Sequence, residues 1–347
     1  MKLLADLSMD EITQLIADLG HPAFRAKQLF SWIAAGALYS QMSNIPLSLR
    51  TTLAQEYADT AAQIITVSAS SDGSEKYLYA LADGETVEGV FLPNRYGNTL
   101  CVSTQAGCRM ACAFCASGAH GLSRNLSAGE MLGQFIAAGK RHTLTQGKSR
   151  TISNVVLMGS GEPLDNYENS VKFIRLLSAP EGLNVSTRNI SLSTCGIAPQ
   201  IRRLADEGLG ITLSLSLHAA VEDTRKKLMP IAKKFPLAEV LSAATYYFNK
   251  TGRRVIFEYA LISGVNDSDA DAQALRTLTK GLSCHVNLIR LNRVENSPYK
   301  GSTQAAADAF LKKLTDLTVS ASLRRSYGKD VGAACGQLRA QARNCPQ

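Results

Sequence analysis

No apolar run in this 347-residue chain reaches the roughly 18 residues that a membrane-spanning helix needs. The N-terminus, MKLLADLSMDE, meets acidic residues where a secretion signal would carry an apolar stretch. Neither a helical membrane protein nor an exported one is expected. Solenoid repeats and low-complexity tracts are also missing. What is left is a globular chain, 45% hydrophobic, longer than one average domain and expected to build one large core with appendages. Acidic side chains are scarce beyond residue 85. Residues 1–85 carry 5 basic and 10 acidic side chains, and the remainder carries 32 and 19. A basic body suits a polyanionic partner, because each phosphate contact releases counterions. A solvated Lys/Arg surface would have the same composition. Eight cysteines would be at risk in an oxidising compartment, so a cytoplasmic location is expected.

Residues 8–60 read as helices. Ser8 and Glu11 have capping-box spacing, and Ile12, Leu15, Ile16 and Leu19 follow on one face. A second helix begins at Phe24, with Leu29, Trp32 and Ile33 inward, and Pro46 opens a third through Leu49 and Leu53. Arg25, Lys27 and Arg50 on the polar sides are candidates for RNA phosphate contact, although exposed helix charges are commoner. Strand character follows at 64–68, 76–81 and 86–92, separated by Asp72-Gly73 and Asp83-Gly84 turns. Strands at 99–104, 154–158, 189–194, 211–217, 254–261 and 285–290 then alternate with helices near 128–141, 166–178, 198–207, 237–249 and 268–281. The fold class expected is α/β: a partial (β/α)6 barrel with its reactive loops at the strand C-termini. The divisions expected are a helical accessory domain (1–60), a β-rich connector (61–98), the barrel (99–317), and a C-terminal strand near 318–324 with a tail (318–347).

Four cysteines fall within fifteen residues, Cys101 to Cys115. Cys108, Cys112 and Cys115 follow C-x3-C-x2-C at the end of a predicted strand. Three thiolates can hold three irons of a cubane 4Fe–4S cluster and leave the fourth open to chelate S-adenosylmethionine (SAM). A Cys3His zinc site using His120, or unrelated buried thiols, are the competing readings; the spacing favours the cluster.

In these residues the sequence resembles the radical SAM superfamily. Cys101, Arg124-Asn125-Leu126 and Ala334-Cys335-Gly336-Gln337 narrow the resemblance to the RlmN/Cfr RNA methyltransferases, and FRAKQLFSWI is similar to their N-terminal accessory domain. The resemblance implies metal ligands Cys108, Cys112 and Cys115. It implies SAM contacts at Gly161 and Glu162 in a GEP motif, at Ser193, at Ser216-Leu217-His218, and at Asn292. Glycines admit close backbone approach and a carboxylate can receive the SAM ammonium. A plain turn, a helix N-cap, a packed core histidine and a turn asparagine are the blander roles for these residues.

The same resemblance assigns catalysis to Cys335, Cys101 and Glu88. Cys335 would take a methyl group from one SAM, and a 5′-deoxyadenosyl radical made from a second would remove a hydrogen from that S-methyl. The carbon radical would add to adenine. Glu88, on what reads as an edge strand, would take the proton, and Cys101 would release methyladenine by forming a disulfide. Such a route answers a chemical problem, since an electron-poor ring carbon cannot be methylated by SAM's electrophilic methyl. Cys195 and Cys284 are expected to be packing residues and Cys345 part of the tail. Gly161-Glu162-Pro163-Leu164 looks RlmN-like, whereas Asn287-Leu288-Ile289-Arg290 is closer to Cfr. Methylation of carbon 2 is expected, with carbon 8 the alternative. The implied partners are 23S rRNA, tRNA and an external electron donor; a monomer is expected. All of this requires the tail sulfur and the cluster cysteines to share one face.

Overall fold

In the computed structural model of this chain, residues 2–95, 97–119, 121–146, 152–293 and 297–338 are described. The N-terminal unit takes its boundaries from its caps. A two-residue strand, β1 (Lys2–Leu3), precedes α1 (Met9–Asp18). Ser8 Oγ accepts from the Glu11 amide (3.2 Å) and the Glu11 carboxylate accepts from the Ser8 amide (2.7 Å), a reciprocal cap of a kind worth about 1 kcal/mol. Ile12 and Ile16 form the buried face of α1. In α2 (Phe24–Ala34) Leu29 and Ile33 are buried as the periodicity requires, whereas Trp32 is only half-buried and donates its Nε1 to Asn44 Oδ1 (2.6 Å). After Pro46, α3 (Leu47–Glu56) buries Leu49 and Leu53. β2 (Tyr57–Ala58) then pairs in parallel with β1.

Two of the three basic side chains that were candidates for RNA contact are turned onto the unit's own backbone. Arg25 donates to Asn44 O and Arg50 to Tyr39 O (2.8 Å); Lys27 stays exposed.

Among the described residues, ten strands make one sheet. β3 (Gln63–Ala69), β4 (Glu75–Ala80) and β5 (Thr86–Leu92) form antiparallel hairpins, so the strands expected as a connector continue the main sheet. β6 (Asn98–Cys101) runs antiparallel to β5 and parallel to β9 (Ile152–Leu157). Between β6 and β9 lie a small hairpin, β7 (Gln105–Gly107) with β8 (Leu122–Asn125), and α4 (Ala128–Gln146). From there the chain alternates through α5 (Tyr167–Ser178), β10 (Ile190–Thr194), α6 (Ala198–Asp206), β11 (Thr212–Ser216), α7 (Glu222–Leu228), α8 (Leu237–Thr251), β12 (Val255–Leu261), α9 (Asp269–Thr279) and β13 (Cys284–Arg290). It ends with α10 (Gln304–Asp316) and β14 (Ala321–Leu323).

β9 to β14 pair in parallel in sequence order, and β14 and β3 are the two edges of an open sheet. This is the partial barrel expected, lengthened by three antiparallel strands. The β7–β8 hairpin, α7 and α10 were not anticipated. The main core runs between the parallel strands and their helices, with Leu192, Leu213, Leu215, Phe257 and Leu288 fully buried. No helix among the described residues is long and apolar enough to cross a membrane.

The tail crosses this sheet. Gly328 N donates to Asp72 Oδ2 (2.9 Å) in the β3–β4 turn, and Asp330 accepts from Ser70 Oγ (2.6 Å) and the Ser71 amide (3.1 Å). A strap leaving the β14 edge is thereby fastened to the hairpin at the other edge. Ala333 and Leu338 pack beneath it against Val90 and Cys101.

Candidate active site

The cysteine loop grows out of the β7–β8 hairpin. Cys108 N donates to Gly121 O (2.9 Å), which closes the base of the loop, and Cys115 N donates to Cys112 O (3.0 Å), which turns its tip. Ala113 N reaches Leu228 O at the end of α7 (2.9 Å). Cys108, Cys112 and Cys115 all line one cavity at the C-terminal ends of the parallel strands. The loop also holds the tail: Ala116 N donates to Gly336 O (2.8 Å) and Ser117 Oγ to Leu338 O (2.8 Å). Cys335 lines the same cavity as the three loop cysteines. The tail sulfur and the cluster motif share one face, as the chemistry demands.

The opposite wall comes from the loop after β9. Gly161 has φ 107°, and a Cβ there would lie 2.7 Å from Gln105 Cβ; at Gly159 a Cβ would lie 2.6 Å from Val102 O. Both positions need glycine because this turn rides directly on the strand that leads to the cysteines. Glu162 is buried, with Oε2 accepting from Cys195 N (2.7 Å) and Oε1 from Leu164 N (3.0 Å). Burial pushes its carboxyl up, against the amide hydrogen bonds that pull it down. Ser193 and Ser216, on neighbouring strands, bring their Oγ atoms to 3.4 Å on the cavity wall.

His218 has φ 56°, and its Nδ1 accepts from Ala260 N (3.0 Å), which assigns the ring proton to Nε2. Burial, with the Arg225 charge, pushes its pKa down to about 3, so it is a neutral group against the edge of Phe114.

Four residues sit differently from what their expected roles suggested. Leu217 is wholly buried in the main core and its side chain does not line the cavity; its amide donates to Glu258 O (3.0 Å) and its carbonyl accepts from Arg225 Nε (3.2 Å). Strand alternation sends Ser216 and Leu217 to opposite sides. Asn292 does not line the cysteine cavity either, but donates its Nδ2 to Cys335 O (3.2 Å) in a second cavity shared with Cys101. Glu88 lies not on an edge strand but on β5, between β4 and β6, where it is buried with Lys76 Nζ 3.2 Å from its carboxylate. Cys195 does more than pack: it lines the cysteine cavity, its amide binds Glu162, and its carbonyl accepts from Arg225 Nη2 (2.7 Å). Cys284 is half-buried and packs at the rim of the main core. His120 and Cys345 lie outside the described residues.

Cys101 ends β6 at the seam between the antiparallel and parallel halves, paired in register with Val90 on one side and Val156 on the other. It is buried, whereas Cys335 is exposed, and both line the second cavity. Burial and the neighbouring Cys335 push the Cys101 thiol up to about 12. All seven cysteines among the described residues are free, so the expected Cys101–Cys335 disulfide is not a feature of this structure.

Several residues of the site were not singled out from the sequence. Gln105 donates to Asp165 Oδ2 (2.9 Å) and Asn125 Oδ1 (2.8 Å) and accepts from Glu162 N (2.8 Å). Arg109 pairs with Asp165. Arg225 is fully buried behind the ends of β10 and β11, although EDTRKK reads as a solvated charge run. Glu258 and Arg324 form an ion pair (3.4 Å) on the cavity wall. A lone carboxylate in the apolar strand IFEYAL was the one available signal for this group.

The donor set fits an iron–sulfur cluster. Burial, with mutual repulsion, pushes the Cys108 thiol up to about 11 and the Cys112 and Cys115 thiols upward as well. Three such thiols in one cavity ionise together only if a cationic group joins them. They do not close on a single ion position, and a cubane's three cysteine ligands bind three different irons. Open barrel and cysteine loop together define a radical SAM enzyme, and the Radical SAM superfamily pattern matches residues 102–274. The Ribosomal RNA large subunit methyltransferase N-terminal domain matches residues 3–58.

The "Probable dual-specificity RNA methyltransferase RlmN" of Clostridium perfringens (strain 13 / Type A) is 46% identical over 98% of this chain and 97% of its own. The Symbiobacterium thermophilum protein of the same description is 47% identical over 98% and 91%. A crystal structure of a radical SAM methyltransferase from Sphaerobacter thermophilus superposes with a TM-score of 0.94, at 41% identity, covering 98% of this chain and 100% of that one. The chain belongs to the RlmN family of radical SAM RNA methyltransferases, whose cofactors are a 4Fe–4S cluster and SAM, two molecules per turnover.

Proposed function

We propose that this enzyme methylates carbon 2 of an adenosine in the peptidyl-transferase centre of 23S rRNA and of the adenosine next to the anticodon in tRNAs, working as a monomer in the cytoplasm with an external electron donor. The observation that carries the reading is the meeting of Cys335 with Cys101 in one cavity and with Cys108, Cys112 and Cys115 in the next. A radical enzyme that needed only its cofactors would have no use for that pair.

Cys108, Cys112 and Cys115 would hold the cluster, and Gly161, Glu162, Ser193, Ser216 and His218 the SAM. When bound, these groups supply a methyl cation equivalent, one electron and a hydrogen-abstracting carbon radical. The chain's own residues do the rest. Cys335 carries the methyl group as a thioether, its segment held at the mouth by the Ala116 amide on Gly336 O and by Asn292 Nδ2 on its own carbonyl. Glu88 accepts the proton lost from the attacked ring carbon as the adduct's unpaired electron passes to the oxidised form of the external electron carrier, with Lys76 compensating its buried charge. It shares a strand face with Val90, which pairs in register with Cys101. Cys101 attacks the Cys335 sulfur, forming S–S as the S–C bond breaks; the bonding pair stays on the released carbon, which takes up a proton to become methyl.

The place of Arg290 supports the carbon-2 reading. Arg290, the departure towards Cfr, donates to Ser302 O (3.1 Å) and Gln304 Oε1 (2.9 Å) and lines neither cavity. The test is digestion of RNA from cells with and without the gene: 2-methyladenosine is expected to disappear from 23S rRNA and tRNA. Loss of 8-methyladenosine instead overturns the carbon-2 reading. In the purified enzyme, Cys335→Ala is expected to abolish turnover and Cys101→Ala to trap a protein–RNA adduct. Normal turnover by the latter removes the releasing role of Cys101.

A further inference from the structure

Both reactive cysteines work as thiolates, yet one is buried and neither is a cluster ligand in the reading above. Some fixed positive charge must favour their ionisation. Arg324 follows β14, where its amide donates to Leu288 O (2.8 Å), and its side chain lines both cavities. It is half-buried, whereas its partner Glu258 is almost fully so, with Oε2 3.4 Å from Arg324 Nη1. Glu258 is held in turn by Asn287 Nδ2 on Oε1 (3.1 Å), and Asn287 Oδ1 accepts from Ser322 Oγ (3.4 Å). Two strands therefore brace the carboxylate, and the carboxylate aims the guanidinium. Cys335 and Cys101 both raise the stability of that guanidinium's charge, and Arg324 in return draws the Cys101 thiol downward against its burial.

We propose that Arg324, braced by Glu258, is the positioning residue that favours the thiolate of Cys335 when it accepts a methyl group and of Cys101 when it releases the product. The inference rests on the two-cysteine reading. In the first step Cys335 loses its proton to water and forms an S–C bond as the methyl–sulfonium bond breaks. The bonding pair remains on the departing S-adenosylhomocysteine, so no oxidant or reductant takes part. A guanidinium keeps its charge at every relevant pH, and its donors form a rigid fork that a carboxylate can orient. Part of its field is screened by solvent at this exposure, so a moderate effect is expected.

The test uses anaerobically reconstituted, iron-loaded enzyme in which mass spectrometry shows Cys335 unmethylated. Arg324→Met is expected to slow iodoacetamide alkylation of Cys335 at pH 7 by about tenfold. SAM-dependent methylation of Cys335 should slow to match. Both rates should recover towards wild type at pH 9, and Arg324→Lys should stay within about threefold of wild type at pH 7. Unchanged rates in Arg324→Met, or equal slowing at both pH values, overturn the proposal. A measurement on the wild type alone guards against a misfolded variant: the ratio of iodoacetate to iodoacetamide reactivity at Cys335 should exceed that of a free cysteine peptide, because a neighbouring cation attracts the anionic reagent. A ratio no higher overturns the proposal as well. If wild-type Cys335 never accepts a methyl group while its alkylation still depends on Arg324, the electrostatic assignment stands and the two-cysteine reading falls.

Discussion

The three cysteines of the loop and the pair formed by Cys101 and Cys335 reach one site by opposite routes. The trio spans eight residues and is positioned by its own hairpin, with a backbone bond closing each end of the loop. The pair is separated by most of the barrel. Cys101 is locked in the sheet between β5 and β9, whereas Cys335 rides on a strap fastened by a few hydrogen bonds. Local positioning suits a group that must stay put through the cycle. In the mechanism proposed above, a sulfur that carries a methyl group to RNA and then meets a second sulfur needs an anchored but movable segment. On that proposal, fixed geometry would serve the cofactor and adjustable geometry the transfer.

Breaking the trio gives the largest expected effect. Cys112→Ala should yield a colourless protein that has lost its iron and whose SAM cleavage is at background; Cys335→Ala should stay brown and still cleave SAM under reductant, without forming product. Iron content and 5′-deoxyadenosine formation check both, and an iron-replete, active Cys112→Ala removes that residue from the ligand set. A sharper cut separates the tail from the SAM site. Asn292→Ala deletes one hydrogen bond to the Cys335 carbonyl, of a kind worth roughly 0.5–1.5 kcal/mol. Methylation of Cys335 should therefore slow by about fivefold, with the KM for SAM in cleavage unchanged. A raised KM with unaltered Cys335 methylation at saturating SAM would return Asn292 to the SAM site.

The same contrast decided what was legible in the sequence. The trio's spacing, the β/α alternation and the Ser8–Glu11 cap are local patterns, and each was found where the sequence put it. The pair had no local signature and was visible only through a family resemblance. Asn292 and Leu217 were assigned by motif, yet motif position fixes the backbone and not the direction of the side chain. Strand alternation turned Leu217 into the core, and the returning tail took Asn292. Glu88 looked like an edge residue because nothing within the 76–92 stretch says that β6 will pair beside it. Arg225 and Arg324 were hidden for the same reason: a charge is read as solvated until strands distant in sequence close around it. α10 (Gln304–Asp316), capped by the Thr303 hydroxyl on the Ala306 amide, was not assigned from the sequence.

Asp72 offers the finest test of the strap, because it touches the tail without touching any cysteine. Partial burial pushes its carboxyl up, but hydrogen bonds from Ser74, the Gly328 amide and Ser70 outweigh that and hold it at about 2, below the ordinary 3.8. A depressed carboxyl stabilises the fold above its unfolded value and loses that contribution as pH falls through the folded one. Anchorage of the strap should therefore be complete above pH 4 and weaken between about pH 4 and 2. Asp72→Asn replaces an acceptor facing the Gly328 amide and should raise hydrogen exchange in residues 326–338 by roughly threefold at pH 7, as expected for a partly exposed hydrogen bond. After correction for intrinsic rates, the wild type should approach the variant as the pH is lowered, while the β7–β8 hairpin keeps its protection in both. Equal exchange in the two proteins at pH 7 would mean that the Asp72–Gly328 bond does not hold the strap, and that Asp330, Asn292 and the cysteine loop anchor it without that bond.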